Sequence, residues 1–412
     1  MRKKRKRLLT IFILIIIIVL IIFMFFIKNK DKELVMIDLV NTNVSLIEKN
    51  LSKYNFSIEY EYEYNDSIEK DYIISQSILP NTKIIEQKTI KIIVSLGKID
   101  YDKLKNDKIN ELGKVPIMMY HGIINKKDSE TAYTLGNVDK DGYNRTTESF
   151  KRDLEFYYNN KYQMIRLVDY VNKEIDVSYG YSPIIITFDD GNDNNIKVTG
   201  LDKDGNIIID ENSAVGILEQ FKKDHKDAKV TATFFVTGSL FNQKEYNDKV
   251  LKWLVDHGYD IGNHTNGHDN ISTLSIENTQ KTISSVYQKL DSIIPNKYVK
   301  IIALPFGAPY NKSHANFPYT LKGTYNNYSY ENISALRVGW EPEVSSYDKS
   351  FDKTYLKRCR AYDNNGKEFD IEMVFNNLKN NKFISDGNKD TITIPNSSSD
   401  KLIDIDKKVI KY

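Results

Sequence analysis

From Val115 onward, short strand-like runs alternate with amphipathic stretches, and this alternation limits the fold more than any other feature of the chain. Pro116 to Tyr120, Ile184 to Phe188, Ala232 to Val236, Asp260 to Gly262 and Ile301 to Leu304 read as strands. Between them, Thr147 to Asn160, Ser213 to Lys223, Asn247 to Asp256 and Ile276 to Ile294 have helical patterns. Strand and helix in alternation predict an α/β domain built on a parallel sheet or barrel. In such architectures functional side chains gather at the C-terminal ends of the strands. Leu201 to Asp210, centred on Asp204-Gly205, reads as a hairpin inserted into this framework. Its Asp202, Asp204 and Asp210 lack the spacing of a calcium loop. Beyond Ala361 the pattern weakens, so 361–412 is expected as a C-terminal extension, or as the end of the same domain.

The chain has 412 residues, enough for two or three domains. Six basic residues, Arg2 to Arg7, precede an apolar run from Leu8 to Ile27 that contains no charge. Twenty residues at about 1.5 Å each span roughly 30 Å, the thickness of a bilayer core, so 8–27 is a predicted transmembrane anchor. No small-residue cleavage site or lipid-accepting cysteine follows it. Segment 1–7 should stay in the cytoplasm, which places everything after Lys28 outside the cell membrane on a single-pass anchor. The net charge of +2 is smaller than that of the basic cluster alone, so the rest of the chain is acidic overall. That composition offers no basic face to nucleic acid. Cys359 is the one cysteine and excludes an internal disulfide.

Between Leu34 and Lys98 the pattern differs. A helix-like stretch (Val44, Leu46, Ile47, Leu51) is followed by alternation at Phe56, Ile58, Tyr60, Tyr62 and Tyr64. Ile73-Ile74 begins a second strand, a turn falls at Pro80-Asn81, and Ile90, Ile92 and Val94 alternate in a third. This order, with "YIISQSILPNTKI" and "TIKIIVSLGK", resembles a PASTA repeat, a small α+β module of bacterial cell-wall proteins. Asn41 stands where that family usually has Gly. The resemblance implies contact with peptidoglycan, or a spacer role. A polar stretch, 99–113, is expected to link this module to a large domain over 114–360.

Thr187-Phe188-Asp189-Asp190-Gly191 closes a buried strand with two adjacent carboxylates, costly unless a metal or a proton uses them. His264-Thr265-Asn266-Gly267-His268 presents two imidazoles four residues apart, a spacing that can bring both to one metal ion. Together they suggest Asp190, His264 and His268 as ligands, Asp189 left free as a base, and an open position for water. Glycoside hydrolysis by the carboxylate pair fits poorly, because hydrolases hold their two carboxylates about 5–9 Å apart across the bond.

"TFDDG", "GNHTNGH" and "LPFG", with "TATFFVTG" between the first two, resemble the motifs of the NodB-homology polysaccharide deacetylases, carbohydrate esterase family 4, over roughly Val115 to Arg360. The resemblance implies a distorted (β/α) barrel of about seven strands and one divalent metal ion, zinc in first place. It also implies hydrolysis of N-acetyl groups on GlcNAc or MurNAc residues of a cell-wall or surface polysaccharide. On matching positions it makes Asp189 the general base and Asp190, His264 and His268 the ligands. Pro305 and Phe306 border the oxyanion, with the Phe306 amide as donor. Two positions depart from the family pattern. Ala303 replaces the arginine that orients the base, for which Arg358 and Arg360 are candidates. No Leu-His motif follows Pro305 to supply the general acid. "PIMMYHGI" resembles the opening of the intercellular-adhesin type, a permuted branch in which a histidine of the first strand is the acid, here His121. His314 is its rival. Trp340, in "RVGWEP", is a candidate for the sugar groove or for a plain core position. The PASTA-like module favours peptidoglycan as substrate, and the "MMYHGI" opening favours poly-N-acetylglucosamine. A non-catalytic wall-binding protein on the same fold is the alternative that the loss at Ala303 raises.

Overall fold

The computed structural model describes residues 34–412 apart from 55, 85–88 and 340. The expected anchor at 8–27 and Trp340 lie outside the described residues, among which no helix is long and apolar enough to cross a membrane. The chain divides after Asp100 into two units.

In the first unit a short helix, Ile47–Leu51, precedes three strands, Ser57–Glu63, Ile73–Gln76 and Thr89–Ser95. The third lies in the middle, parallel to the first and antiparallel to the second. Ile90, Ile92 and Val94 are buried against Met36, Leu39, Ile47, Leu51, Tyr54 and Ile73, as their period-two spacing requires. Asn41 has φ +59°, a left-handed conformation that asparagine tolerates next best after glycine.

The second unit is built on parallel strands. In spatial order they are Ser334–Leu336, Ile301–Ala303, Asp260–Asn263, Thr233–Val236, Ser182–Phe188, Ile117–Tyr120 and Cys359–Arg360, with Tyr162–Met164 also paired to Ser182–Phe188. Apart from Cys359–Arg360, each strand on this path lies beside its predecessor in the chain, the progressive winding expected of helix-linked parallel strands. The sheet curls until one segment reaches both edges. Leu356 donates its N–H to Ala335 of the edge strand Ser334–Leu336, and a few residues on, Cys359–Arg360 forms the other edge, with Ala361 donating to Met119 of the neighbouring strand.

Two cores follow from the alternation of side chains. Met118, Tyr120, Ile184, Ile186, Phe188, Phe234, Val236, Ile261 and Cys359 form one with the apolar stripes of Thr147–Asn159, Ala214–Asp224, Asn247–Asp256 and Ile276–Ile293. Ile117, Ile185, Phe235, Ile301, Ala303, Leu336 and Leu356 form the other, on the opposite face of the strands. His121, Asp189 and Arg358 are in phase with this second set, so the pleat alone sends them to the inner face of the curl.

The predicted hairpin is present as Val198–Leu201 and Ile207–Ile209, and Asp202 is spent on its turn, accepting from the N–H of Asp204 and of Asn206. The stretch expected as a linker is folded from Tyr101 onward: Tyr101–Asn106 is helical, Leu104 and Ile109 are buried, and Asn110 exchanges backbone hydrogen bonds with Ile384. A few apolar residues in a polar stretch were enough to anchor it. The C-terminal extension belongs to the same unit, with the helix Ile371–Leu378 packed on the outer core and Thr391–Ile394 paired in parallel with Lys408–Lys411.

Candidate metal centre and catalytic site

Asp189 and Asp190 follow the last residue of the Ser182–Phe188 strand and part company there. Asp189 keeps the strand's direction and is buried at 2 % exposure. Asp190 turns to φ +76°, and Gly191 follows at φ +65°. A side chain at Gly191 would meet the Leu240 carbonyl oxygen at 2.1 Å, so that turn requires glycine. The reversal sends the Asp190 carboxylate toward the next strands. Its Oδ1 lies 3.3 Å from Nε2 of His264 and 3.3 Å from Nε2 of His268.

One ligand atom from each of Asp190, His264 and His268 falls within 4.8 Å of the others. The donor set fits a divalent ion. The buried Asp190 Oδ1 has no hydrogen-bond partner among the described residues. His264 Nδ1 stands 2.9 Å from the Ala303 carbonyl oxygen, which can only accept, so Nδ1 carries the proton and Nε2 faces inward with its lone pair. Two imidazoles and one carboxylate suit zinc.

Asp189 is held from below. Arg358 donates Nη1 to its Oδ1 and Nη2 to its Oδ2, each at 2.7 Å, and both side chains are buried. The same guanidinium donates to Thr187 Oγ1 at 3.2 Å and, through Nε, to the Arg337 carbonyl at 3.1 Å. Burial works against charge on Asp189, but Arg358 and then His264 outweigh it and hold the carboxyl below its ordinary range. For Asp190 burial is likewise overcome, by the close approach of His264 and the fields of His121 and His268, which hold its carboxyl below the ordinary range. Of the two candidates for the missing orienting arginine, Arg358 occupies that role geometrically, although it comes from the opposite edge of the sheet in sequence.

His121 ends the Ile117–Tyr120 strand, its carbonyl fixed by Asn195 Nδ2 at 2.7 Å. Its Nδ1 is buried without a hydrogen-bond partner among the described residues, and its ring meets Tyr143 edge-on at 4.9 Å. Burial lowers its pKa, and the nearby Asp189 and Asp190 charges pull the other way. The other histidines are engaged elsewhere. His225 pairs with Glu155 at 2.8 Å, His257 bonds the Trp253 carbonyl at 2.7 Å, and His314 Nδ1 accepts the Asn316 N–H at 3.1 Å. Pro305 is buried, while Phe306, at φ +58°, is 54 % exposed with its ring 4.7 Å from that of His268.

Residues 177–317 match the family model of the polysaccharide deacetylases, and residues 34–96 that of the PASTA domain. Among solved structures, a candidate polysaccharide deacetylase of Bacillus anthracis is 18% identical with a TM-score of 0.42. The alignment covers 60% of this chain and 64% of that one, so the chain spans less than two thirds of its length. The Streptococcus pyogenes deacetylase PplD, solved with acetate, is 18% identical at TM-score 0.41, over 60% of this chain and 92% of that one. A de-N-acetylase of Aggregatibacter actinomycetemcomitans is 12% identical at TM-score 0.40, over 60% and 94%. By these two matches, the first unit is similar to the PASTA domain over residues 34–96, and the second is similar to the polysaccharide deacetylases over residues 177–317.

Proposed function

We propose that the chain is a metal-dependent N-deacetylase that removes acetyl groups from GlcNAc or MurNAc residues of cell-wall peptidoglycan. The observation that carries this reading is the convergence of Asp190, His264 and His268 beside an Asp189 whose two oxygens are fixed by Arg358. A divalent ion held there, zinc by its donor set, supplies Lewis acidity to the acetamide carbonyl and to the attacking water. Asp189 accepts the proton of that water, and the grip of Arg358 fixes which lone pairs face it. His121, on the same inner face, returns a proton to the sugar nitrogen as the C–N bond breaks, giving the free amine and acetate. The Phe306 amide donates to the oxygen on which charge develops.

The chain's own arginine also bears on the non-catalytic alternative. That reading drew its support from Ala303, and Arg358 supplies the contact that Ala303 lacks. The PASTA match is the support for peptidoglycan over poly-N-acetylglucosamine. Anchoring through 8–27, with both units outside the cell membrane, rests on the sequence of that segment. Full-length protein loaded with zinc, incubated with peptidoglycan and with β-1,6-linked GlcNAc oligomers, should release acetate from peptidoglycan. Release from the oligomers alone would move the substrate, and release from neither would overturn the activity.

A further inference from the structure

Arg360 ends the strand that begins just beyond Arg358. Residues two apart on a strand share a face, so both arginines rise on the inner face and Arg360 stands nearer the rim. Its guanidinium lies between two rings, 4.5 Å from the centroid of Tyr143 and 4.8 Å from that of Tyr362. Tyr143 is also the ring that meets His121. A cation therefore stands one aromatic ring away from the group that protonates the leaving nitrogen.

The surroundings of Arg360 differ from those of its buried counterparts. Arg358 is gripped by Asp189, and Arg145 by Asp153 and Asp363. Arg360 Nε and Nη2 are buried yet have no hydrogen-bond partner among the described residues. The adjacent acid in sequence, Asp363, is already held by Arg145 at 2.5 Å. Tyrosine faces attract the charge but place no acceptor in the guanidinium plane. Leaving those donors unpaired away from water is costly. Nε and Nη2 form one edge of the fork, two parallel N–H groups at the spacing of the two oxygens of a carboxylate.

We propose that this edge receives a carboxylate carried by the glycan, so that the site selects acidic amino-sugar polymers over neutral ones. The inference rests on the deacetylase reading, because the acetamide held at Asp189 determines where the carboxylate falls. Tyr143 lies against the guanidinium and is itself 39 % exposed, on a turn where Gly142 adopts φ +63°. Rotation of this outer ring admits the carboxylate while Tyr362 stays as the floor. Two sources share the chemistry: the lactyl group of a MurNAc whose carboxyl is free, and a uronic acid next to the acetylated sugar.

The test uses full-length protein with zinc and three oligomers of equal length: neutral GlcNAc, MurNAc-containing with free lactyl groups, and GlcNAc alternating with glucuronate. The readout is the ratio of kcat/KM on each acidic oligomer to that on the neutral one. In the native protein this ratio should exceed unity for one acidic oligomer, which identifies the source. In Arg360→Met it should fall roughly ten- to hundredfold, mainly through KM, and Arg360→Lys should fall less, because it keeps the charge but not the fork. A ratio near unity, or the same ratio in all three proteins, overturns the subsite. Binding of the same oligomers to chelator-treated protein, by equilibrium dialysis, separates the two readings and needs no turnover. Arg360-dependent binding of an acidic oligomer without acetate release leaves the subsite standing and removes the deacetylase. Acetate release with binding indifferent to charge does the reverse. Thermal unfolding identifies a misfolded Arg360→Met, in which case Arg360→Lys and Arg360→Gln carry the comparison.

Discussion

Arg358 and Asp189 lie 169 residues apart in sequence and meet through two hydrogen bonds of 2.7 Å inside the curl of the sheet. The pairing does two jobs. It neutralises a buried carboxylate, and it fixes both oxygens so that the remaining lone pairs point at one place. Replacing Arg358 by Met should therefore affect both stability and rate. Removing one partner of a buried pair costs about 3–5 kcal/mol, and a misdirected base costs on the order of 10²-fold in kcat. Arg358→Lys retains charge but not the fork and should recover part of the stability and little of the rate. Acetate release and thermal unfolding on the same preparations would show it; native kcat in Arg358→Met would remove the orienting role.

The metal centre predicts its own stoichiometry. Purified protein should hold about one divalent ion per chain, and His264→Ala should lose it, because His264 is the buried ligand whose orientation the Ala303 carbonyl fixes. Chelation of the native protein should abolish acetate release, and zinc should restore it. Elemental analysis that finds a full ion in His264→Ala would exclude this ligand set.

Asp189→Asn should abolish turnover and leave the metal content unchanged, since Asp190 Oδ1, not Asp189, faces both imidazoles at 3.3 Å. The variant also strands Arg358 without its partner, so a lower unfolding temperature is expected with it. Turnover that survives would assign the base elsewhere.

The parts of the molecule readable from sequence are those governed by short-range periodicity. The helix Asn247–Asp256 and the strand Ser182–Phe188 carry patterns that depend on their own residues, and the structure places them within two residues of expectation. Asp190, His264 and His268 converge because each belongs to a motif with fixed local spacing. Arg358 was only one of two candidates, since nothing near it in sequence marks which arginine reaches back across the curl. The pleat turns both inward, because the apolar Cys359 between them packs in the outer core; what separates them is depth, since Arg358 is fully buried beside Asp189 and Arg360 stands nearer the rim. Residues 101–113 and 361–412 were obscure for a related reason. They are held by long-range polar contacts, such as Glu111 with Ser385, Asp386 and Thr393, that leave no periodic trace.

That last cluster makes stability depend on pH. Glu111 and Asp386 are both buried, and burial, then for Glu111 the neighbouring Asp386 charge, raises their pKa values. A raised carboxyl binds its proton more tightly in the folded chain. Its contribution to stability is thus full below the unfolded pKa of about 4 and is lost as pH rises through the folded value. Asp386→Asn removes one charge and keeps the shape. Its oxygen can still accept from Asn388, and the Thr391 and Thr393 hydroxyls can rotate to accept from the new amide. The variant should be more stable than the native chain at pH 7 by on the order of 1 kcal/mol, with the gap closing toward pH 4. Denaturant titrations at pH 4 and pH 7 test this, and a gap that widens on acidification would contradict the sign.

His121 is the proposed proton donor, with His314 as its rival. The leaving nitrogen must receive a proton, and of the six histidines two face Asp190, while His225 and His257 are bound to Glu155 and to the Trp253 carbonyl. His314 has Nδ1 taken by the Asn316 N–H. His121 lies in phase with Ile117 on the inner face and feels the charges of both Asp189 and Asp190. Loss of a general acid typically costs about 10²- to 10⁴-fold. His121→Ala should lower kcat by that order with metal content and unfolding temperature unchanged, and His314→Ala should leave kcat within about twofold, as expected of a group outside the reacting centre. A sharper control is the leaving group. An acetyl ester analogue departs as an alcohol and needs less help from an acid than an amine does, so His121→Ala should be damaged less on the ester than on the amide. Equal damage on both substrates, or damage in His314→Ala instead, would transfer the proton donor away from the first strand.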